Sequence, residues 1–339
     1  MYHLDAIRAS NAALKKLPPG LVALFVGGTN GIGASTLRNF VKNTTAPRVY
    51  FVGRNEAAAE QVTQECKALN ADASITFYKA DLTLLSSVDR VCEEFKAREK
   101  HLNLLFLTPG FLSLQGRNES PEGLDRKLAV HYYARMLFVQ HLLPLLTAAP
   151  SLARVVAILA PSREKGLLED DLDLARNYSI RNCEGHSVTL TSLAFEHLSA
   201  VHPSVGFVHA LPGVVATNIL AAHSAPAAYL SKLVLFAMKP WLVPLDESGE
   251  RHLFQATSAA FAGAAPDGNA GVPLAEGLRP ATGAGGKEAS GVYLVNWESK
   301  DVGKESVLKG YRERGYGETV WEHTLEMFEK AKVAKPEAT

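Results

Sequence analysis

The chain has 339 residues, of which 47% are hydrophobic, and its 35 basic residues balance 35 acidic ones. A chain of this size and composition can bury a large core, which excludes disorder as its main state. The balanced charge provides no overall attraction for nucleic acid or for an anionic membrane. Three scattered cysteines without metal-ligand spacing predict reduced thiols, with neither a disulfide framework nor a metal site.

From residue 21 onward, short runs rich in β-branched residues alternate with longer amphipathic segments. The alternation predicts a single α/β domain of Rossmann type, residues 21–339, with a doubly wound parallel sheet. Pro18-Pro19-Gly20 closes a short helical arm, residues 1–20, before the first strand. The predicted strands are 21–26, 48–53, 75–80, 102–108, 153–159, 205–211 and 291–295. The main predicted helices are 31–43, 56–69, 86–99, 123–146 and 183–200.

The later part of the chain breaks this alternation. Residues 218–290 are predicted as an extended substrate-side region, and 263–290, dense in Gly, Ala and Pro, as a long loop. The segment 291–339 is predicted to hold the last strand and C-terminal helices, since 319–332 has apolar residues at helical spacing.

The N-terminus lacks the basic start and apolar run of a secretory signal, and no segment has about 18 uninterrupted apolar residues. We therefore expect a cytoplasmic protein without stable membrane insertion. The most apolar stretch, Tyr229 to Val243, is interrupted by Lys232, Lys239 and Pro240. It is interpreted as a helix over an apolar substrate pocket, with insertion into a membrane interface as the alternative.

The first predicted strand leads into a glycine-rich turn, Val26-Gly27-Gly28-Thr29-Asn30-Gly31-Ile32-Gly33, which opens a helix. Gly27 permits a tight turn, Gly31 lets the backbone approach a pyrophosphate, and Gly33 lets the helix lie close to the strand. An ordinary glycine turn is the alternative, which the position between a strand and a helix disfavours.

The second predicted strand ends in Val52-Gly53-Arg54-Asn55, where a carboxylate would hold the ribose hydroxyls of NAD. No carboxylate is present. Gly53 leaves room, and the guanidinium of Arg54 provides several N–H donors. A 2′-phosphate therefore fits better than free ribose hydroxyls, and the predicted cofactor is NADP(H). A surface charge at a strand end is the alternative interpretation of Arg54.

These residues resemble the short-chain dehydrogenase/reductase family, whose turn reads Thr-Gly-x-x-x-Gly-x-Gly, with Val26 in place of the threonine. Asp81-Leu82 resembles the pair that contacts adenine, although Asp81 could equally cap a helix. Pro212-Gly213-Val214-Val215-Ala216-Thr217 matches the segment beside the nicotinamide. The implied cofactor-binding residues are Gly27, Thr29, Asn30, Gly31, Ile32, Gly33, Arg54, Asn55, Asp81, Leu82, Gly110, Pro212, Gly213, Val215 and Thr217.

Residues 290–332 and the ESGERHLF stretch at Glu247 are similar to fungal members of the family that belong to natural-product pathways. This resemblance implies a hydrophobic carbonyl compound or alcohol, such as a polyketide or terpenoid intermediate, as the substrate. Members of the family often pair through their long helices, so the resemblance also implies a homodimer.

The family's catalytic Asn-Ser-Tyr-Lys tetrad is substituted in this chain. The family serine falls on Ala160, and Ser162 is either a substitute hydroxyl or a plain loop serine. The family asparagine falls on His131, which is interpreted as a proton-transfer group that titrates near neutral pH or as a buried histidine bonded to a backbone carbonyl.

The tyrosine and lysine positions fall on Ser179 and Cys183, or one residue earlier on Tyr178 and Asn182, and neither register supplies the lysine. Tyr178 and Arg181 would share one helical face if the helix had already begun, and Arg181 could then stabilise a tyrosinate. The alternative is a tyrosine that covers the substrate loop beside a solvated arginine. His186 is left unassigned, and the predicted catalytic set is Tyr178, His131, Ser162 and Arg181.

Three functions remain open from the sequence. The cofactor features favour an NADP(H)-dependent oxidoreductase. The substituted tetrad motivates a redox-neutral isomerase or cyclase on the same fold. A non-catalytic dinucleotide-binding protein is the third, because a fold does not by itself imply chemistry.

Overall fold

The computed structural model describes residues 2–215 and 242–334. Nine strands lie in this part of the chain: β1 (Val22–Val26), β2 (Arg48–Gly53), β3 (Ser74–Lys79), β4 (Leu104–Leu107), β5 (Arg154–Ile158), β6 (Gly206–Leu211), β7 (Val214–Val215), β8 (Leu242–Val243) and β9 (Val292–Asn296). Seven of them form one parallel sheet in the order β3-β2-β1-β4-β5-β6-β9. The predicted doubly wound α/β fold is confirmed.

The helices of the described chain are α1 (Leu4–Ala12), α2 (Gly31–Asn43), α3 (Glu56–Leu69), α4 (Leu85–Arg98), α5 (Arg126–Leu128), α6 (Ala134–Thr147), α7 (Ile180–Val201), α8 (Leu245–Thr257), α9 (Glu305–Glu313) and α10 (Tyr316–Val333). A π-helical turn, Ala129–Tyr133, joins α5 to α6. None of these helices is both long and apolar enough to cross a bilayer.

The sheet lies between two helical layers because successive side chains of a strand point to opposite faces. In β1, Ala23 and Phe25 pack in one core with α1, α2, α3 and α8. Val22, Leu24 and Val26 pack in the other core with α4, α6, α7, α9 and α10. All five residues of β1 are buried, as expected for a central strand of a parallel sheet covered on both faces.

The predicted strands all form, and the largest difference in bounds is at β4, which begins at Leu104. The predicted helix 123–146 begins only at Arg126, where Asp125 caps it by accepting bonds from the N–H groups of Lys127 and Leu128. The predicted helix 183–200 begins earlier, at Ile180, because the Ser179 side chain caps it through the Asn182 N–H.

Helix α8 has no counterpart among the predicted helices, because Gly249 and four charged residues interrupt its apolar pattern. Tertiary packing decides its structure. A Cβ atom at position 249 would lie 2.3 Å from Ser35 Oγ, so the glycine allows α8 to pack closely on α2. The N-terminal arm covers α8 in turn, and Arg8 forms an ion pair with Glu250.

Most of the predicted helix 229–243 lies outside the described residues. Its last two residues, Leu242 and Val243, form β8 instead of a helix, so the prediction is wrong for them. Because β8 pairs in parallel with β7, the segments that precede and follow residues 216–241 lie next to each other.

The C-terminal helix α10 covers part of the two long predicted helices, 123–146 and 183–200, through which dimer formation was expected. Tyr132 and Tyr133 of the π turn form hydrogen bonds with Thr324 at 2.6 Å and with His323 at 2.9 Å. Arg312, at the end of α9, holds the Glu196 carboxylate of α7 with two nitrogens.

Candidate functional site

The glycine-rich turn has the backbone conformation that its sequence predicts. Gly27 and Gly31 have positive φ angles of 89° and 56°. A Cβ atom at position 33 would lie 2.4 Å from the Gly27 carbonyl oxygen, so no larger residue fits there. Asn30 caps α2 by accepting a hydrogen bond from the Gly31 N–H at 2.7 Å. The turn therefore exposes backbone at the start of α2, where a phosphate can approach.

The corner at the end of β2 also requires glycine. A Cβ atom at position 53 would lie 2.4 Å from Thr29 Cγ2, so Thr29 fills the space that an acidic side chain would need. The expectation that Gly53 leaves room is wrong, because Thr29 occupies that space. Arg54 is exposed, and it takes part in no ion pair among the described residues. Asn55 caps α3 through the Ala58 N–H, so its side chain is already engaged in the fold.

Asp81 stabilises a local turn after β3 by accepting a hydrogen bond from the Thr83 N–H at 3.0 Å. The N-cap of α4 is Leu84, so Asp81 is not the cap of that helix. Its neighbour Leu82 is buried. Glu122 takes the capping role instead, by accepting bonds from the N–H groups of Leu85 and Ser86.

Two residues that the sequence did not single out hold the strand ends together. Thr108 Oγ1 donates to the carbonyls of Val26 at 3.0 Å and Gly27 at 3.2 Å, which ties β4 to the glycine turn. The buried guanidinium of Arg135 donates to the carbonyls of Pro109 at 2.6 Å and Ile158 at 2.8 Å. No motif marks Arg135, whose neighbours in α6, Ala134 and Met136 to Val139, are all apolar.

His131 lies in the π turn, and its Nε2 faces Gly110, where a Cβ atom would be 3.1 Å away. The ring stacks on Phe111 with centroids 5.8 Å apart. Burial, together with the charges of Arg135 and Lys127, lowers the pKa of His131 to about 3, and the ring bonds to the Lys127 backbone. The lowered pKa does not fit a group that titrates near neutral pH, and the bond to the Lys127 backbone fits the alternative of a histidine bonded to a backbone carbonyl. A catalytic role for His131 stays a prediction.

Tyr178 precedes α7, so the condition under which it would share a helical face with Arg181 is not met. The Tyr178 hydroxyl bonds to the thiol of Cys183, and burial raises the pKa of Tyr178 above its ordinary value. The cation that acts on this phenol is Arg117, whereas the side chain of Arg181 is exposed. The structure therefore separates Arg181 from the role that the sequence suggested.

Ser162 is exposed on the loop after β5 and has a φ angle of 86°. Its backbone N–H donates to Glu164 Oε2 at 2.9 Å. The loop that follows is held by polar side chains of α7, His186 among them.

The Pro212-Gly213 turn lies at the end of β6. Gly213 has a φ angle of 73°, and a Cβ atom there would lie 2.7 Å from Trp297 Cδ1. The guanidinium of Arg251 stacks over Trp297 at 4.8 Å from the ring centre. Val215 pairs with Val243 between β7 and β8. Thr217 lies outside the described residues.

The topology brings the predicted positions to one edge of the sheet. The glycine turn, Arg54, Asp81, Gly110, Ser162 and Pro212 follow β1 to β6, and the carboxyl ends of parallel strands share one edge. The strand order reverses between β1 and β4, which is where open α/β sheets bind their ligands. Direct contacts within this edge join Gly27 to Thr108 and Gly110 to His131.

Exposed apolar side chains are frequent in the segments that follow β4, β5 and β6. Eight large hydrophobic residues are exposed in the described chain, and five of them follow β4, β5 or β6: Leu112, Leu114, Leu168, Ile180 and Val214. Exposed apolar groups that are grouped on one part of the surface indicate a hydrophobic ligand or partner.

Residues 21–167 match the family model described as short chain dehydrogenase. An oxidoreductase of Emericella nidulans is 43% identical, with 98% of this chain and 99% of the relative covered. An oxidoreductase of Emericella variicolor is 37% identical, with 97% of each chain covered. A short-chain dehydrogenase/reductase of Stachybotrys chartarum is 30% identical over 62% of this chain and 66% of its own length.

Solved structures share the fold at low sequence identity. The RhlG protein of Pseudomonas aeruginosa, in an active-site complex with NADP, has a TM-score of 0.53 and 19% identity, with 78% of this chain and 98% of that chain covered. A short-chain dehydrogenase of Sphingobium yanoikuyae in complex with NADPH has a TM-score of 0.51 and 16% identity, with 69% and 83% covered. This likeness concerns the fold. The matched residues and the full-length fungal relatives show that the chain belongs to the short-chain dehydrogenase family.

Proposed function

We propose that the chain is an NADP(H)-dependent oxidoreductase that acts on a hydrophobic carbonyl compound or alcohol. The observation that carries the proposal is the corner formed by the glycine turn and the Gly53-Arg54 pair. The turn leaves backbone open to a pyrophosphate, and Arg54 is an exposed cation at the point where the adenine ribose would lie.

The residues of this corner fit the phosphorylated cofactor better than its unphosphorylated form. Thr29 fills the space at Gly53, so the acidic residue that would bind ribose hydroxyls has no room. Arg54 provides donors for a 2′-phosphate in planar geometry. When bound, NADPH supplies a hydride to the substrate carbon.

The candidate proton donor for the substrate oxygen is Tyr178. Because burial and the bond to Cys183 keep its phenol protonated, it can stabilise the negative charge that develops on the oxygen during reduction. The raised pKa disfavours the tyrosinate in both directions, because reduction forms it and oxidation starts from it, so this group does not set the direction of the reaction.

His131 is proposed as a positioning group and not as an acid. Its ring is neutral at physiological pH and has one N–H engaged by the Lys127 backbone, so it has no acidic proton to transfer. Its contact with Gly110 and Phe111 shapes the loop after β4, beside the proposed nicotinamide position.

The apolar side chains at the carboxyl edge support a hydrophobic substrate. Two similar proteins from Emericella species are named oxidoreductases, which supports a redox reaction.

The proposal is tested by titrating the protein with NADPH and with NADH while following nicotinamide fluorescence. The bound NADPH is then exposed to a panel of hydrophobic ketones and enones. We expect tighter binding of NADPH and its oxidation by some members of the panel. Binding without oxidation would instead favour a redox-neutral isomerase or cyclase or a non-catalytic protein, and the absence of binding would contradict the cofactor assignment.

A further inference from the structure

The turn after β5 contains a residue that its geometry disfavours. Ala160, Pro161, Ser162 and Arg163 form a tight turn closed by a hydrogen bond from the Arg163 N–H to the Ala160 carbonyl at 3.1 Å. Its third residue, Ser162, has a φ angle of 86°. A turn that has proline as its second residue and a positive φ angle at its third residue favours glycine at the third position. A residue with a Cβ atom is strained in that backbone conformation. The strain is therefore maintained by the surrounding structure.

Glu164 supplies the restraint on this turn. Its side chain is fully buried, and Oε2 accepts the Ser162 N–H at 2.9 Å. Its other oxygen accepts from Ser192 Oγ of α7 at 3.1 Å. Ser192 lies 3.0 Å from Nδ1 of His209 in β6, so the carboxylate is connected to the sheet. A backbone bond from Lys304 holds it from the C-terminal side.

A buried carboxylate and a strained serine both cost free energy, and they occur within three residues of one another. Glycine at position 162 would remove the strain, and apolar packing at position 164 would remove the buried charge. The Ser162 side chain is exposed at the edge where the candidate site lies, and its hydroxyl makes no hydrogen bond with another described residue.

We propose that Glu164 is a positioning residue that holds Ser162 in its strained conformation, so that the Ser162 hydroxyl hydrogen-bonds the reacting oxygen of the substrate. This inference rests on the proposed function and adds a group to it. Ala160, at the family's serine position, has no hydroxyl, and the turn brings one to the same edge two residues later. The hydroxyl donates to the oxygen as negative charge develops there, without giving up its proton.

The test compares Ser162→Ala, which keeps the strain, with Ser162→Gly, which removes it. Both remove the hydroxyl, so both should lower kcat of the NADPH-dependent reaction by about 10²-fold while NADPH binding is unchanged. The thermal midpoint of Ser162→Gly should be equal to or above that of the parent. Ser151→Gly is the matched control, because Ser151 has a φ angle of 69° but precedes β5, at the opposite edge. It should leave kcat unchanged.

The role of Glu164 is tested in the same assay. Glu164→Gln keeps an acceptor for the Ser162 N–H, and its amide can donate to Ser192, so it should retain most of the turnover. Glu164→Met removes the acceptor and should lower kcat. Combined with Ser162→Ala, it should lower kcat no further than Ser162→Ala alone, because Glu164 acts through Ser162.

Full turnover by Ser162→Gly would overturn the inference and leave the proposed function standing. An additional loss in the double variant would show that Glu164 acts independently and would overturn its positioning role. If the parent protein oxidises NADPH with no member of the ketone and enone panel, the proposed function fails and this inference fails with it.

Discussion

His186 Nε2 accepts a hydrogen bond from the Leu168 N–H at 3.0 Å. The other ring nitrogen, Nδ1, bonds to the Leu172 carbonyl at 3.1 Å, so the ring is a neutral tautomer with its proton on Nδ1. Thr189 and Ser192 continue along the same face of α7, where Thr189 bonds to the backbone of Lys165 and Ser192 to Glu164. Three polar residues spaced by three therefore hold the loop after β5 along its length.

Neutral buried histidines make the fold sensitive to acid. Burial lowers the pKa of His209 to about 3 and that of His252 to about 4, and the pKa of His186 is lowered as well. At a pH between these lowered pKa values and about 6.5, the histidines of the unfolded chain bind protons that those of the folded chain do not. The free energy of unfolding therefore falls as the pH falls. Each fully buried histidine should cost about 2 kcal/mol between pH 6.5 and pH 5.

The measurement is the free energy of unfolding in urea as a function of pH. His252→Gln should reduce the slope of the unfolding free energy against pH by the contribution of about one bound proton. His3→Gln, at an exposed position of the arm, should leave that slope unchanged. A flat profile between pH 6.5 and pH 5 would contradict the neutral state of these rings. Burial raises the pKa values of the Glu164, Glu196 and Asp301 carboxyls, and these groups act in the opposite direction, so the difference between His252→Gln and the parent isolates the histidine.

Tyr311→Phe should destabilise the protein by about 1–3 kcal/mol, because the buried N–H of Leu167 loses its acceptor. The loss is measured by urea unfolding. Tyr316→Phe is the matched control: its ring packs 5.2 Å from that of Tyr311, but its hydroxyl makes no hydrogen bond with a described residue. Equal effects of the two substitutions would show that the hydroxyl of Tyr311 contributes nothing specific.

Arg54→Ala should weaken NADPH binding by about tenfold or more and change NADH binding little, because only NADPH carries the 2′-phosphate. Fluorescence titration with both nucleotides measures the two affinities. Arg98→Ala removes an exposed cation at the far end of α4 and serves as the control. Equal losses for the two nucleotides would remove the argument for the phosphate.

Gly53→Asp alone should weaken binding of both nucleotides, since the new side chain would collide with Thr29. Adding Thr29→Gly provides room for the carboxylate, so the double variant should bind NADH better than NADPH. Titration of both variants with both nucleotides distinguishes the outcomes. A switch to NADH in Gly53→Asp alone would show that Thr29 does not restrict this corner.

Tyr178→Phe should lower turnover by about 10²-fold if the phenol donates the proton. Because its pKa is raised, the parent enzyme should show no alkaline loss of activity from this group up to about pH 10. Arg181→Ala should leave the rate and the pH profile unchanged, since Arg181 is exposed and away from the phenol. An unchanged rate in Tyr178→Phe would eliminate it as the donor.

The sequence predicts the sheet well because its strands are short apolar runs separated by amphipathic helices. The glycine turn could be predicted equally well, because Gly27, Gly31 and Gly33 occupy positions that only glycine fits sterically. Helix α8 was missed because the interface with α2, and not its own periodicity, stabilises it.

The acid/base groups were harder to predict because pKa values depend on burial and on the placement of charges in the folded chain. His131 was expected to titrate near neutral pH, but Arg135 and Lys127 both disfavour its protonation. Tyr178 was paired with Arg181 on the assumption of an earlier helix start, which the Ser179 cap excludes. The buried Glu164 follows no motif, and only its contacts with Ser162 and Ser192 reveal it.

The central claim is hydride transfer from NADPH to a hydrophobic carbonyl compound. The most direct measurement uses NADPH deuterated at C4, as each of the two stereoisomers separately, with mass spectrometry of the product. We predict that one stereoisomer transfers its deuterium to the product carbon and that the amount of NADP⁺ formed equals the amount of product. A product that forms without deuterium and without loss of NADPH would contradict the account.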